Sequence, residues 1–304
     1  MQEGNRRAII AALLANMGIA VAKFLGFLVT GAASLLAEAV HSVADTSNQA
    51  LLLFGGHRAS RSATPEHPFG YGRERFFWAF VVALVLFSMG GLFAIYEGIE
   101  KLLHPHELES FGVAIAILLV AVALETYSLT TAVREANHIR GDQSWWKFIR
   151  HSKNPELPVV LLEDTGAEIG LALALFGVIM AKVTDEPRWD AAGSLGIGIL
   201  LVVIAIVLAI EMKSLLIGEA ASPDDQAAIR DAIEGSPEVR RLIHMRTEHL
   251  GPDELLVAAK LEFDGALSFA DLAKAVDDTE ARLRDAVPAA KLIYIEPDVA
   301  RTPT

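Results

Sequence analysis

The chain has 304 residues, of which 53% are hydrophobic and none is cysteine, and it carries a formal net charge of −12. Its mean hydropathy of +0.40 is too high for an ordinary soluble domain of this length. The missing cysteines exclude disulfides and thiolate metal sites, so any metal must be held by His, Asp, Glu and water. With acids outnumbering bases, no nucleic-acid partner is expected.

Six segments reach the ~20 apolar residues that a helix needs to cross a bilayer: Ala8–Val29, Ser34–Gly55, Phe76–Ile99, Phe111–Val133, Leu157–Val183 and Ala191–Ile217. Buried helices of a large soluble protein are the alternative, but such helices rarely run this long without interruption. The first segment leads straight into a second one, with no small-residue cleavage site between them, so no signal peptide is expected. The basic residues are distributed unevenly. Arg6 and Arg7 precede the first segment, Arg58, Arg61, Arg73 and Arg75 lie around the second connection, and Arg134, Arg140, Lys147, Arg150 and Lys153 fill the fourth. The opposite connections hold Lys101, Lys182 and Arg188. This bias predicts an integral membrane protein of the cell or inner membrane, with both termini in the cytoplasm. Between Asn137 and Pro158, Trp145, Trp146 and Phe148 stand among basic residues. They fit an interfacial helix on the inner leaflet or a loop with aromatic anchors.

The transport domain is expected to cover residues 1–218 and a soluble domain 219–304. In the latter, Ser222-Pro223 is a helix start, with a capping serine and proline at the first helical position. That helix should run to about Gly235. Val239–Glu248 and Leu255–Asp264 read as strands around a Gly251-Pro252-Asp253 turn, because polar and apolar residues alternate along them. Ser268 caps a second helix, and Lys291–Glu296 supplies a last strand. The predicted fold is therefore a six-helix membrane domain followed by a small α-β-β-α-β, ferredoxin-like domain.

The second segment carries His41 and Asp45 four residues apart, on one helix face. The fifth carries Asp164 and Glu168 at the same spacing. Counted from the cytoplasmic ends, Asp45 and His41 lie about 15 and 21 Å deep, and Asp164 and Glu168 about 10 and 16 Å. Charged groups at that depth are costly without a function. Four such groups on two antiparallel helices could share a divalent cation in the tetrahedral manner of zinc; helix–helix hydrogen bonding by protonated carboxyls is the other reading. Glu163 points about 100° away from Asp164; it replaces Glu168 as ligand if the helix is rotated, or faces another helix as a proton carrier. Glu38 and Asn48 extend the stripe of His41 and Asp45 by a turn at each end. Glu125, in the fourth segment, is a further intramembrane acid. Glu38, Asn48 and Glu125 are candidates for a proton relay or for supporting the ligands. Lys23 is expected to extend toward the outer interface, and Gly166 and Gly170 form a small-residue packing face.

These features together resemble the cation diffusion facilitators. The resemblance rests on the six spans, His41-x-x-x-Asp45, Asp164, the His67-Pro68-Phe69-Gly70-Tyr71-Gly72-Arg73-Glu74 run and the α-β-β-α-β tail. Leu162-Glu163-Asp164-Thr165 is similar to one branch of that family. The resemblance implies export of Zn2+ from the cytoplasm in exchange for protons, by a homodimer and without an organic cofactor, and it makes His67 a candidate loop ligand. Many members carry His or Asp one turn before the fifth-span aspartate, where this chain has Val160, so Glu168 or Glu163 must substitute. The more oxygen-rich site also suits Mn2+, Fe2+ or Co2+. Tyr71 stands where a second loop histidine would be, and Tyr294 and Glu296 take the place of a His-x-Asp pair. The tail is therefore expected to dimerise while binding metal weakly or not at all.

A bound cation would hold the carboxylates ionised and His41 neutral. Once it leaves, the low dielectric favours their protonation. That cycle exchanges metal for protons, and no P-loop argues for an ATP-driven pump. A membrane metalloenzyme would call for a nucleophile or a third strong ligand, and no His-Glu-x-x-His pattern occurs in the chain. A channel would show rings of like residues.

Overall fold

The computed structural model describes residues 3–105 and 110–299, with the side chains of 3–16, 139 and 151 outside the description. The chain divides into two compact units, Met1–His57 with Phe77–Met212 and Arg58–Phe76 with Lys213–Thr304. The connection after the second helix thus packs with the tail.

The first unit is built of long helices. They are α1 (Glu3–Thr30), α2 (Ala33–Ala59), α3 (Glu74–Val85) continued by a π-helical turn (Leu86–Leu92) into α4 (Phe93–Leu103), α5 (Phe111–Arg140), the short α6 (Trp145–His151), α7 (Glu156–Thr184) and α8 (Arg188–Ile217). Among the described residues, four apolar helical stretches, Glu74–Leu103, Phe111–His138, Glu156–Thr184 and Arg188–Ile217, are long enough to cross a membrane. Helix α2 matches them in length, but polar residues interrupt it, and Glu38, His41, Ser42, Thr46 and Asn48 are all buried.

Two features fix α2 in place. At its start, the backbone N–H groups of Ala33 and Ser34 donate to the Asp190 carboxylate of α8 at 2.6 and 3.2 Å, and the Ser34 hydroxyl donates to the same group. A carboxylate there satisfies otherwise orphaned amide donors and complements the positive end of the helix dipole. Lys101 adds a 3.8 Å ion pair to Asp190 and donates to the Gly31 carbonyl. Gly31 makes the α1–α2 turn with φ +66°, a conformation that glycine adopts without strain. Elsewhere α4 and α8 meet closely at Gly198, where an added Cβ would stand 2.7 Å from the Ile95 nitrogen. Such close approach is how membrane helices gain packing energy without a hydrophobic drive.

Helix α6 occupies the aromatic-basic connection. Ser144 caps it by accepting from the Lys147 N–H, and Arg140 lies over the Trp145 ring at 4.4 Å.

In the second unit, α9 (Pro223–Glu234) and α10 (Phe269–Ala286) pack on a sheet of β1 (Val239–Gly251), β2 (Glu254–Phe263) and β3 (Ala290–Asp298) in the order β1-β2-β3. β1 pairs antiparallel with β2, and β2 pairs parallel with β3. The expected caps form: Ser222 accepts from the Asp225 N–H, and Ser268 from the Asp271 N–H. Along β2 every second residue is buried, so Leu255, Val257, Ala259, Leu261 and Phe263 face Ile229, Ile233, Ala275 and Leu283 of the helices. This is the small α+β domain that the alternation predicts.

Candidate metal site in the membrane domain

A cavity of about 10 Å3 lies among α1, α2, α5 and α7, lined by Ile19, Ser42, Asp45, Gln49, Glu125, Ser128, Val160, Glu163 and Asp164. Its size is that of about one water-sized sphere. Four carboxylates face it, and Val160 is its apolar wall on α7.

On α2, Asp45 Oδ2 stands 3.5 Å from His41 Nε2. Neither ring nitrogen of His41 makes a hydrogen bond, nor does Asp45 Oδ1, although all three atoms are buried. Buried polar atoms without a hydrogen bond are rare and costly, so each calls for an explanation. On α7, Glu163 Oε1 accepts from Asn48 Nδ2 at 2.6 Å, and Asp164 Oδ2 accepts from the Ser128 hydroxyl at 2.9 Å. A carboxamide and a hydroxyl thereby orient the two carboxylates, one from α2 and one from α5.

Glu168 is placed differently. It does not line the cavity, and its Oε1 accepts from the Thr126 hydroxyl of α5 at 3.0 Å. Glu163 and Asp164 reach the cavity together although they project about 100° apart. The cavity touches both α2 and α5, so it borders two adjoining faces of α7. His41 sits beside the cavity rather than in its wall. Among the described residues, no three His, Asp or Glu side chains converge closely enough to form a ready-made metal cage. His67 belongs to the second unit, where its backbone pairs with Thr64 and its ring meets Tyr71 edge-on at 4.6 Å.

Lys23 departs from expectation. It is 1% exposed and does not reach an interface: its Nζ lies 3.0 Å from Glu38 Oε2, 2.9 Å from Ser42 Oγ and 3.7 Å from Glu125 Oε1. Two carboxylates in reach make an inward ion pair available, which replaces the solvation that an outward-reaching ammonium would otherwise seek. Gly166 and Gly170 both allow close packing: a methyl at Gly166 would meet Ile204 of α8 at 2.6 Å, and one at Gly170 would meet Glu38 Oε1 of α2 at 2.7 Å and Ile197 of α8 at 3.8 Å.

The π-helical turn was not legible in the sequence. It places Gly90 against the imidazole of His41, where an added Cβ would lie 3.8 Å from Nδ1. Such turns often occur at functional sites. The Gly90-Gly91 pair is the one signal that could have pointed to it.

Residues 9–217 match the model of the cation efflux transmembrane domain, and residues 221–298 that of the cation efflux protein cytoplasmic domain. The chain belongs to the cation efflux family. With its apolar helices, it is an integral membrane protein with a small cytoplasmic α+β domain. Over 265 residues it is 31% identical to the proton-coupled zinc antiporter SLC30A9, mitochondrial, of Homo sapiens, covering 86% of this chain and 47% of that protein. It is 25% identical over 296 residues to the cation-efflux pump FieF of Pectobacterium atrosepticum, covering 97% and 93% of the two chains. A solved nickel form of MamM CTD aligns with 25% of this chain and 96% of its own at 17% identity, with a TM-score of 0.24. The chain spans about half the length of the first of these relatives.

Proposed function

We propose that this cation efflux protein is a secondary transporter, not an enzyme, which exports a divalent transition metal from the cytoplasm in exchange for protons. The observation that carries the reading is the set of buried ligand atoms on His41 and Asp45 that make no hydrogen bond, beside a cavity faced by Glu163 and Asp164. We assign these four side chains as ligands of the transported ion, with Glu163 favoured over Glu168 because it faces the cavity. Zn2+ is the substrate that the imidazole and the relatives favour; Mn2+, Fe2+ and Co2+ are the alternatives for the oxygen-rich half of the site.

In this reading all six long helices cross the bilayer, α1 and α2 included. The polar stripe of α2 lowers its apolar character because it faces the pathway rather than lipid. Residues 1–218 form the transport domain, residues 219–304 join two copies of the chain, and both termini face the cytoplasm as the basic residues direct.

Each ligand has a task. Asp45 bridges toward the α7 acids, and His41 supplies a neutral nitrogen through the ring edge that faces Asp45. Asn48 and Ser128 hold Glu163 and Asp164 in orientation, as hydrogen-bonded outer partners do for metal ligands. The arriving ion draws the four groups inward and displaces their protons. After it departs, the carboxylates take up protons from the opposite side, because uncompensated charges are disfavoured in a low dielectric. The protonated, nearly neutral set then returns.

Sealed vesicles containing the purified protein test this. An imposed pH gradient alone should drive Zn2+ uptake, and added Zn2+ should move protons the other way. Zn2+ flux that ignores the proton gradient would identify a channel, and proteolysis or hydrolysis without flux would identify a membrane metalloenzyme.

A further inference from the structure

Lys23 is outside the ligand set, yet it contacts two walls of the cavity. Ser42 and Glu125 both line that space, and the Lys23 ammonium bonds the first and lies 3.7 Å from the second. Its closest acid, Glu38, is fully buried and makes no contribution to the cavity wall. Stability alone does not explain the cluster, because buried ion pairs rarely improve on apolar side chains of equal volume. An amino group and two carboxylates in the interior of a membrane domain call for a function.

The position of Glu125 gives one. It is the fourth carboxylate of the cavity, opposite three acids that the transport reading assigns or favours as ligands or neighbours of the ion. Among these four, it is the carboxylate that forms an ion pair with Lys23, at 3.7 Å. We infer that Lys23 is a specificity-determining residue: its ammonium holds Glu125 to itself and away from the transported ion. The ion's ligands are thereby limited to His41, Asp45, Glu163 and Asp164. This inference rests on the transport reading above and adds a selectivity element to the same site.

The chemical consequence is a change in ligand hardness. Removing the ammonium frees the Glu125 carboxylate for the ion and adds a hard oxygen to a site with one nitrogen. Hard oxygen ligands favour Mn2+, whereas imidazole favours zinc.

The test is titration of the purified full-length protein with Zn2+ and with Mn2+, in wild type, Lys23→Met, Lys23→Arg, Glu125→Gln and the Lys23→Met/Glu125→Gln double variant. Lys23→Met should raise the affinity for Mn2+ relative to Zn2+ by about tenfold, because the site gains a hard donor. Lys23→Arg keeps the cation and should keep the wild-type ratio. Glu125→Gln alone should leave the ratio unchanged, since that carboxylate is not a ligand while Lys23 is present. The double variant should return the ratio to wild type. A ratio unmoved by Lys23→Met, or a shift that persists in the double variant, would overturn the inference. Should Lys23→Met fail to fold, Glu125→Gln decides: a shifted ratio there would mean that Glu125 is already a ligand and that Lys23 does not restrain it. Failure of the wild type to bind either metal would contradict the transport reading itself, which keeps the two failures distinct.

Discussion

The two units handle polar groups in opposite ways. In the tail, charges sit on the solvent side and are paired there: Arg240 with Asp264 at 2.8 Å, Arg241 with Glu262 at 3.0 Å, and Lys260 with Glu296 at 2.6 Å. The tail core holds the apolar residues of β2, α9 and α10. The membrane unit instead buries Lys23, Glu38, His41, Asn48 and Glu163 and leaves several of their atoms unpaired. The first arrangement is what stability alone selects. The second carries a cost that a transported ion would offset, and in the proposed reading the chemistry belongs to the membrane unit while the tail joins two copies of the chain.

The sharpest way to break this contrast is to remove Asp45. Asp45→Ala should abolish metal-driven proton flux, a loss of more than about a hundredfold, beyond what an outer partner of a metal site is worth. The tail should stay folded, because its core contains no residue of that site. Retained flux would show that the unpaired atoms of α2 do not serve transport.

A smaller effect separates the two glutamates of α7. Glu163→Gln should weaken Zn2+ binding by at least about tenfold, a ligand being worth no less than an outer-shell partner. Glu168→Gln should change it little, since Glu168 is engaged by Thr126 outside the cavity. The reverse pattern in a titration of the two variants would put the site one turn further along α7.

The converse perturbation lies in the tail. Leu261 is fully buried in β2, and Leu261→Ala should destabilise that unit by about 2–5 kcal/mol. Hydrogen exchange on the full chain should show the loss in the tail amides, while Zn2+ affinity stays as in wild type. A drop in affinity would show that the two units do not divide the labour in this way.

The smallest effect concerns surface charge. The Arg240 guanidinium, with the Ala266 N–H, holds the Asp264 carboxyl below its usual range. The native value is depressed, so this contribution to tail stability is present above about pH 4, the unfolded value. It is lost as pH falls through the native value. Arg240→Ala should remove that part of the acid-side slope in a pH series of tail unfolding; an unchanged slope would show the pair to be idle.

Legibility in the sequence followed the same division. The tail could be read element by element, to within a few residues at the ends, since Ser222, Ser268 and the alternation along β2 are local signals that the fold obeys. The stripe from Glu38 to Asn48 was legible too, because residues four apart share a helix face whatever the neighbours. The rotation of α7 against α2 and α5 is a tertiary quantity, and spacing alone ties Asp164 to Glu168, whereas the cavity brings Asp164 together with Glu163. Lys23 failed for a similar reason. A lone lysine in an apolar helix reads as an interfacial residue until Glu38 and Glu125 are known to face it. The capping of α2 by Asp190 depends on contact between distant segments, which no local pattern announces, while the π-helical turn had only the Gly90-Gly91 pair as a local signal.

The central claim is that the ion binds in the membrane unit between α2 and α7. It is tested most directly by counting Zn2+ bound to the purified full-length protein in wild type, Asp45→Asn and Asp164→Asn. We predict that both variants lose the tight Zn2+ that the wild type binds, together with the protons it displaces, while their tails remain folded. Undiminished tight Zn2+ binding in both variants would contradict the account and move the metal out of this cavity.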